Sequence, residues 1–455
     1  MKLLISILSY LCCYVLSANP TVFNYDEFGS LALEIVKFDV FYKTPDAVGN
    51  LYKSRDQDDR KYGKGGKLIK DDKYFYHNDE EGNLILKSTR NITKPLELPK
   101  ATNFIDRLFG HTEEQKDQIA NHQNWQQGDT AYTWLANGML ESVQNPNGEL
   151  IRFEYDALGR RTAKLIIPPL GARGLIYRYF WDGNVLLHEW HYNLKERPKL
   201  VIQNGDLVYT HPEPTPPLGA GGLVTWVYEE GSFAPCAKIV GEEKYSIIND
   251  YIGRPIQCYD ESGNIVWETD YDIYGQLRNL KGDRNFVPFR QLGQYEDVET
   301  GLYYNRFRYY SPESGMYISQ DPIGLAGNNP NFYAYVHDSN NWVDVFGLME
   351  LFRSMSREEF FDIKNNGWDG KGNMYSKWFA ESYDDAVKWG HTMGHGTDSK
   401  FYVVGFEIDD DIAKNAFIAG DKHDGIGRAR AIDVDDLNKK ATSVISINSQ
   451  RVKCN

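Results

Sequence analysis

The sequence predicts a mainly β chain: hairpin repeats forming a curved, continuous antiparallel sheet, followed by a small α+β domain. Three observations predict it. Aromatic residues make up 14% of the 455 residues, with 31 Tyr, and Gly numbers 40, a mix that suits short strands joined by turns. One unit recurs along the chain: an aromatic residue, Asp or Asn, a short spacer, Gly, then polar–apolar alternation. That pattern stops at Met349, where helical spacing begins.

In chain order, the first residues "MKLLISILSYLCCYVLSANP" carry Lys2, an apolar run from Leu3 to Val15, and small residues at Ser17 and Ala18. This is the pattern of a secretory signal peptide over 1–17, too short for a comfortable membrane span. The expected location is therefore outside the producing cell. No later apolar run is long enough to span a bilayer. The sequon "NIT" makes Asn91 a glycosylation acceptor in a host that modifies secreted chains.

The recurring unit appears as "NYDEFGSLALEI" from Asn24, "YHNDEEGNLILKS" from Tyr76, "NPNGELIRFEYDALGRRTAKL" from Asn145, "YFWDGNVLLHEW" from Tyr179 and "NDYIGRPIQCYDESGNIVWETDYDIYGQLRNL" from Asn249. Asp–x–x–Gly and Gly–Asn supply hairpin turns, with Gly taking positive φ. The alternating flanks read as half-buried strands. A lone hairpin is marginally stable, so neighbours must stack into one sheet. "HPEPTPPLGAGG" (211–222) is too rich in Pro for a strand.

These residues carry a resemblance. "YDALGRR", "NDYIGRP" and above all "GQYEDVETGLYYNRFRYYSPESGMYISQDPIGLAGNNPNFYAYVHDSNNWVDVFGL" (293–348) resemble an Rhs polymorphic toxin, with YD repeats followed by the Rhs core-associated segment. The resemblance is strong over 129–348 and weak over 18–128. It implies a β-spiral or shell around a variable C-terminal toxin. This chain has too few repeats for a full shell. The expectation is an open half-shell, self-association through strand edges, or edges covered by the N-terminal region.

The resemblance also implies self-cleavage by an aspartyl protease after Leu348. The matching residues are Asp321 in "SQDPIGL" and Asp344 in "VDVFGL". Two carboxylates held close share one proton, so one activates water while the other polarises the carbonyl. Val345 stands where the family has Pro, which frees φ beside Asp344, and Met316 stands where it usually has a basic residue. The competing reading makes both Asp residues turn formers.

From Met349 to Asn455 the sequence predicts the α+β domain. Its elements are a strand "LFRSM", a helix capped by Ser356 and ended at Asn366–Gly367, a strand "KWFAES", a helix with Ala386, Val387 and Trp389 on one side, and strands "FYVVGFEI" and "SVISI". The order resembles compact ADP-ribosyltransferase-like toxins. The resemblance implies NAD as substrate, Arg353 on its phosphates or ribose, Phe379 stacked on nicotinamide, and Ser382 near the ribose. For the acidic residue that meets an oxocarbenium-like transition state, Glu407 on a strand and Asp433 in a late acidic loop are the candidates. Against this, Phe379 also reads as core, Ser382 as a helix cap and Arg353 as a surface residue. A ribonuclease reading uses His391, His395 and His423 with Asp421 and Asp424. A third reading is a non-enzymatic adhesin with an aromatic β-face. The toxin readings imply a target-cell protein or nucleic acid as acceptor, and an immunity protein as partner.

A net charge of −14 argues against broad nucleic-acid or anionic-membrane binding. Of five Cys, Cys236, Cys258 and Cys454 lie beyond the signal segment. Their spacing gives no disulfide framework and no metal motif, and leaves one pair plus a free thiol open.

Overall fold

The computed structural model describes residues 21–25, 31–36, 39–92, 125–169, 173–203, 206–216, 222–229, 232–321, 331–336, 339–340, 343–344, 347, 350–366, 368, 375–380, 383–393, 400–408, 416–423, 427–439 and 444–453. The signal segment 1–17, Leu348, Ser382, His395, Asp424 and Cys454 lie outside them.

The fold is mainly β, as the sequence predicts. Several hairpins start from one acidic side chain. Asp156 Oδ1 accepts the backbone N–H of Leu158 and of Arg160, both at 2.9 Å. The Gly159 N–H closes the turn on the Asp156 carbonyl at 3.0 Å, with Gly159 at φ +71°. The same carboxylate contacts recur at Asp46, Asp250, Asp260 and Asp272. The side chain replaces water on N–H groups that the strands cannot pair. At Asp156 burial favours the neutral acid, but the bonds from Arg160 and Leu158 outweigh it and lower the pKa. At Asp272 deeper burial wins and raises it.

Stacked hairpins build a 16-stranded antiparallel sheet from Lys61–Tyr62 at one end to Leu277–Lys281 at the other. It crosses the boundary that the sequence places at residue 128. A separate hairpin, Leu200–Gln203 with Asp206–Tyr209, is inserted between two neighbours in the sheet. Residues 211–216 are irregular, in line with their Pro content.

The chain that follows packs on the long sheet. Its four-stranded sheet contains β1 (Tyr295–Asp297), β2 (Leu302–Asn305), β3 (Arg308–Ser311) and β4 (Met316–Tyr317). Leu302, Tyr304, Tyr309 and Ile318 pack on Leu84, Leu140, Val143, Ile151 and Phe153 of the long sheet. Phe286, Phe289 and Tyr295 pack on Trp226, Trp267 and Cys258.

A buried ion pair joins the two layers. Arg161 of the long sheet donates to Asp297 of β1, and both are at most 1% exposed. Lys164 lies 3.3 Å from the other Asp297 oxygen and 2.8 Å from Glu299. Four rings surround the Arg161 guanidinium, those of Tyr304, Tyr179, Tyr295 and Phe153 at 4.5, 4.8, 5.1 and 5.4 Å. A guanidinium tolerates such a site because its faces stack while its edges donate.

At one end of the long sheet the N-terminal region makes contact. A three-stranded sheet (Thr21–Tyr25, Leu31–Val36, Asp39–Tyr42) lies against the last turn of the long sheet. Buried Glu34 accepts the Ile273 N–H at 3.1 Å and pairs with Arg278 at 2.8 Å.

The C-terminal domain holds β5 (Glu350–Met355), α1 (Arg357–Asn366), β6 (Ser376–Ala380), α2 (Tyr383–Met393), β7 (Lys400–Ile408), β8 (Phe417–His423), β9 (Gly427–Asp433), α3 (Val434–Lys439) and β10 (Val444–Lys453). The sheet order is β8-β9-β6-β5-β7-β10. Ser356 caps α1 by accepting the Glu359 N–H at 3.1 Å, as expected. The stretch expected as a late acidic loop is instead β9 and α3. Its apolar residues Ala429, Ile432, Val434 and Leu437 are buried, which the acidic residues between them conceal in the sequence. Val336 packs against both the Tyr303, Tyr310, Tyr317 and Tyr335 cluster and the Phe352–Trp389 core, so it touches shell and domain alike.

A Cys236–Cys258 disulfide is ruled out by register. The two strands flank Glu243–Asn249 on either side, and Cys258 opposes Ile247 while Ala237 opposes Ser246. Two strand spacings, about 9.6 Å, exceed disulfide reach.

Replacing Arg161 with Ala leaves Asp297 buried beside Lys164 alone. The expected cost is about 3–5 kcal/mol, read from urea unfolding, and the Arg161→Ala/Asp297→Ala pair recovers part of it. A loss within about 1 kcal/mol, the worth of an exposed pair, would contradict the buried bridge. Burial pushes the Cys258 thiol up to about 11, so little thiolate exists at pH 8. Alkylation mapped by mass spectrometry should mark Cys236 in the native chain and Cys258 after denaturation.

Candidate functional site

Asp321 and Asp344, 23 positions apart in sequence, converge on one side chain. Arg308 Nη2 lies 3.1 Å from Asp344 Oδ2 and 3.5 Å from Asp321 Oδ2. Arg308 is the first residue of β3 and is buried. Tyr317 at the end of β4 places its ring 3.8 Å from the guanidinium carbon and donates its hydroxyl to Asp344 Oδ2 at 2.7 Å. Like charges repel at this range, and the cation between them offsets that repulsion.

The same groups hold the chain ahead of the expected cut. Asp344 Oδ1 accepts the Gly347 N–H at 2.6 Å. Arg308 Nε donates to the Gly347 carbonyl at 2.7 Å. Gly347 has φ +67°, and a Cβ there would lie 2.8 Å from the Asn305 carbonyl, so only Gly fits the bend. Leu348 and Met349, which flank the expected cut, lie outside the described residues, as does Val345. Met316 is buried and its backbone pairs with Ser311. The sequence reading missed Arg308. The signal was a cation within the tyrosine-rich block, where two carboxylates inside a fold need a counter-charge.

Of the expected ADP-ribosyltransferase residues, Ser382 lies outside the described ones, and Arg353 and Phe379 sit on the paired strands β5 and β6. Arg353 is held by Glu359 of α1 at 2.7 and 3.0 Å and by the Trp378 carbonyl at 2.7 Å. Phe379 is fully buried in a core with Leu351, Met355, Trp368 and Ile432. Its core reading holds, and it offers no open face to nicotinamide. Glu407 pairs with Glu350 and Ile445, three register positions from the Arg353–Val404 pair, or about 10 Å along the strand. Asp433 is exposed and accepts the Ser376 hydroxyl.

Of the ribonuclease set, His395 and Asp424 lie outside the described residues, and the others lie on α2 and β8. His391 packs on Phe401 near the start of β7, with ring centroids 5.1 Å apart. His423 ends β8 opposite Gly427, at the other end of the sheet. β8 and β7 are four strands apart, about 19 Å. Asp421 is also on β8. Asn91 is exposed, though Thr93 of its sequon lies outside the described residues.

Elsewhere, a cavity of about 400 Å³ lies between the two shell layers, lined in part by Tyr76, Tyr132, Lys87, Glu313, Arg284 and Glu296. Its charged groups already pair, Lys87 with Glu313 and Arg284 with Glu296. Among the described residues, no group of three or more His, Cys, Asp or Glu is placed to hold a metal ion. No helix among them is long and apolar enough to cross a membrane.

Residues 134–166 match the RHS Repeat family. The chain is 28% identical over 347 residues to Double-stranded DNA deaminase toxin A of Burkholderia cenocepacia, covering 72% of this chain and 21% of that protein. It is 29% identical over 346 residues to Probable deoxyribonuclease RhsA of Dickeya dadantii, covering 72% and 20%. Toxin protein Tse5 of Pseudomonas aeruginosa is 38% identical over 194 residues, covering 40% and 14%. The chain thus spans about a fifth of the length of the first two relatives and less of the third.

Proposed function

We propose that this RHS-repeat chain is a polymorphic toxin in which a folded shell carries a C-terminal effector and frees it by cutting itself between Leu348 and Met349. One observation carries this reading: two acids distant in sequence meet on Arg308, which also grips Gly347 beside the cut. A water oxygen bonds to the Leu348 carbonyl carbon while one carboxylate takes the water proton. The other carboxyl polarises the carbonyl and gives its proton to the Met349 nitrogen as the C–N bond breaks. A carboxylate at Leu348 and a free amine at Met349 result. Arg308 offsets the charge as it shifts between the two acids. Export by the 1–17 segment and an immunity protein belong to the same reading.

For the effector, ADP-ribosyl transfer rests on Arg353 within β5. There the guanidinium would exchange Glu359 for the NAD phosphates. An acceptor nucleophile would take C1′ of the ribose as nicotinamide leaves, with loss of the acceptor proton. Action on nucleic acid is the second reading, supported by the deaminase and deoxyribonuclease names of two relatives.

Purified chain should split at Leu348, shown by N-terminal sequencing of a fragment that begins at Met349. Asp344→Asn and Asp321→Asn should each lower the rate by at least about 100-fold, the scale of losing an acid or base. A chain that stays whole from pH 3 to 9 defeats this reading. Labelled NAD and, separately, DNA and RNA offered to the full chain divide the effector readings. Label transfer lost in Arg353→Ala supports the first, and changed nucleic acid without NAD use supports the second. Neither outcome with a folded effector favours the adhesin.

A further inference from the structure

Three neighbouring strands each send one group to the Asp344 loop. Asn305 ends β2, Arg308 opens β3 and Tyr317 ends β4. Asn305 Nδ2 donates to the Tyr317 hydroxyl at 2.5 Å and to the Asp344 carbonyl at 2.7 Å. With both amide hydrogens engaged on neighbouring groups, the Tyr317 oxygen is fixed as an acceptor from Asn305. Its own hydrogen is directed to Asp344 Oδ2, 2.7 Å away. The Asp344 N–H is taken by the Tyr335 hydroxyl at 3.3 Å. Asn305 and Tyr317 are almost wholly buried, so water does not compete for these bonds. Burial first, then the charge of Asp344, pushes the Tyr317 phenol far above its usual range, which keeps it a donor. Asn305 Oδ1 is buried without a hydrogen-bond partner in the structure, an acceptor suited to a water molecule.

We propose that Tyr317 and Asn305 are positioning residues for self-cleavage. The amide fixes the phenol, and the phenol fixes Asp344 Oδ2, which leaves Oδ1 turned to the Gly347 side of the loop. This rests on the self-cleavage reading above. It adds a condition on when the cut occurs. The acid is oriented only once β2, β3 and β4 are side by side, so cleavage reports a folded shell. An unfolded chain has both aspartates and no means of aiming them. The effector is therefore freed after its container has formed.

The test uses full-length chain, with the Met349–Asn455 fragment followed on denaturing gels from pH 3 to 9. Parent, Asp344→Asn, Tyr317→Phe and Asn305→Ala are compared with Tyr310→Phe. Tyr310 lies in the same ring cluster but bonds the Tyr274 carbonyl at 2.8 Å. Among the described residues, groups that face the Asp344 carboxylate include Arg308 from β3, Tyr317 from β4, Asp321 across Arg308, and the Gly347 N–H. Tyr317→Phe keeps the ring under Arg308 and removes one donor to a carboxylate. The expected loss is about 10-fold or more in rate. The acidic limb of the pH–rate profile should move to higher pH, since the ionised form loses a hydrogen bond. Tyr310→Phe should change neither.

Parent rate and profile in Tyr317→Phe, with Asp344→Asn uncut, would overturn the positioning role and leave self-cleavage standing. Equal slowing of Tyr317→Phe and Tyr310→Phe with unmoved profiles would overturn it as well, since that is loss of packing alone. A parent that never cuts removes both readings. Should Tyr317→Phe fail to fold, Asn305→Ala takes its place: it removes the donor that aims the phenol, so a smaller slowing and a smaller shift in the same direction are expected.

Discussion

Much of the long sheet depends on one local interaction: a turn carboxylate that accepts backbone N–H groups two and four residues ahead. Each strand of the long sheet must reverse direction within a few residues, and each reversal leaves donors with no strand partner. Asp156, Asp250, Asp260 and Asp272 each take up two of those donors. A positive-φ Gly three positions on lets the chain turn back. With the turn set locally, register follows, and with register the alternation of buried and exposed side chains. At these four turns the instruction is repeated rather than transmitted.

A sheet built this way buries one face only if something packs on it. The chain supplies that from its own next segment, where Tyr304, Tyr309 and Tyr295 meet the long sheet. The Arg161–Asp297 pair lies between the layers. Apolar packing alone would allow the inner sheet to slide. A charge pair shielded by four rings has one good position, because any shift leaves a buried ion unpaired. The pair therefore acts on alignment more than on net stability.

The inner sheet then serves a second purpose. The strands that bury their tyrosines against the long sheet also present Asn305, Arg308 and Tyr317 to the Asp344 loop. Packing on the long sheet and contact with Asp344 come from the same strands. The C-terminal domain starts a few residues later, at Glu350, and touches the shell through Val336. Its own interior is complete, with Arg353 and Phe379 engaged inside it.

By itself the sequence determined the hairpins, because Asp, Gly and alternation act over a few neighbouring residues. It determined the break in pattern at Met349, the Ser356 cap and the pair of acids at 321 and 344. It did not determine that β9 and α3 form where an acidic loop was expected. The buried positions 429, 432, 434 and 437 look like isolated apolar residues until the sheet surrounds them. Nor did it separate a ligand-binding aromatic from a core one at Phe379, since both are the same residue on the same kind of strand. Arg308 shows the limit most clearly. Its meaning comes from Asp321 and Asp344, which lie 13 and 36 positions away and reach it only when the strands fold together. Local rules fix conformation through bonds between near neighbours. A site is an encounter between distant ones, and only tertiary packing decides which residues meet.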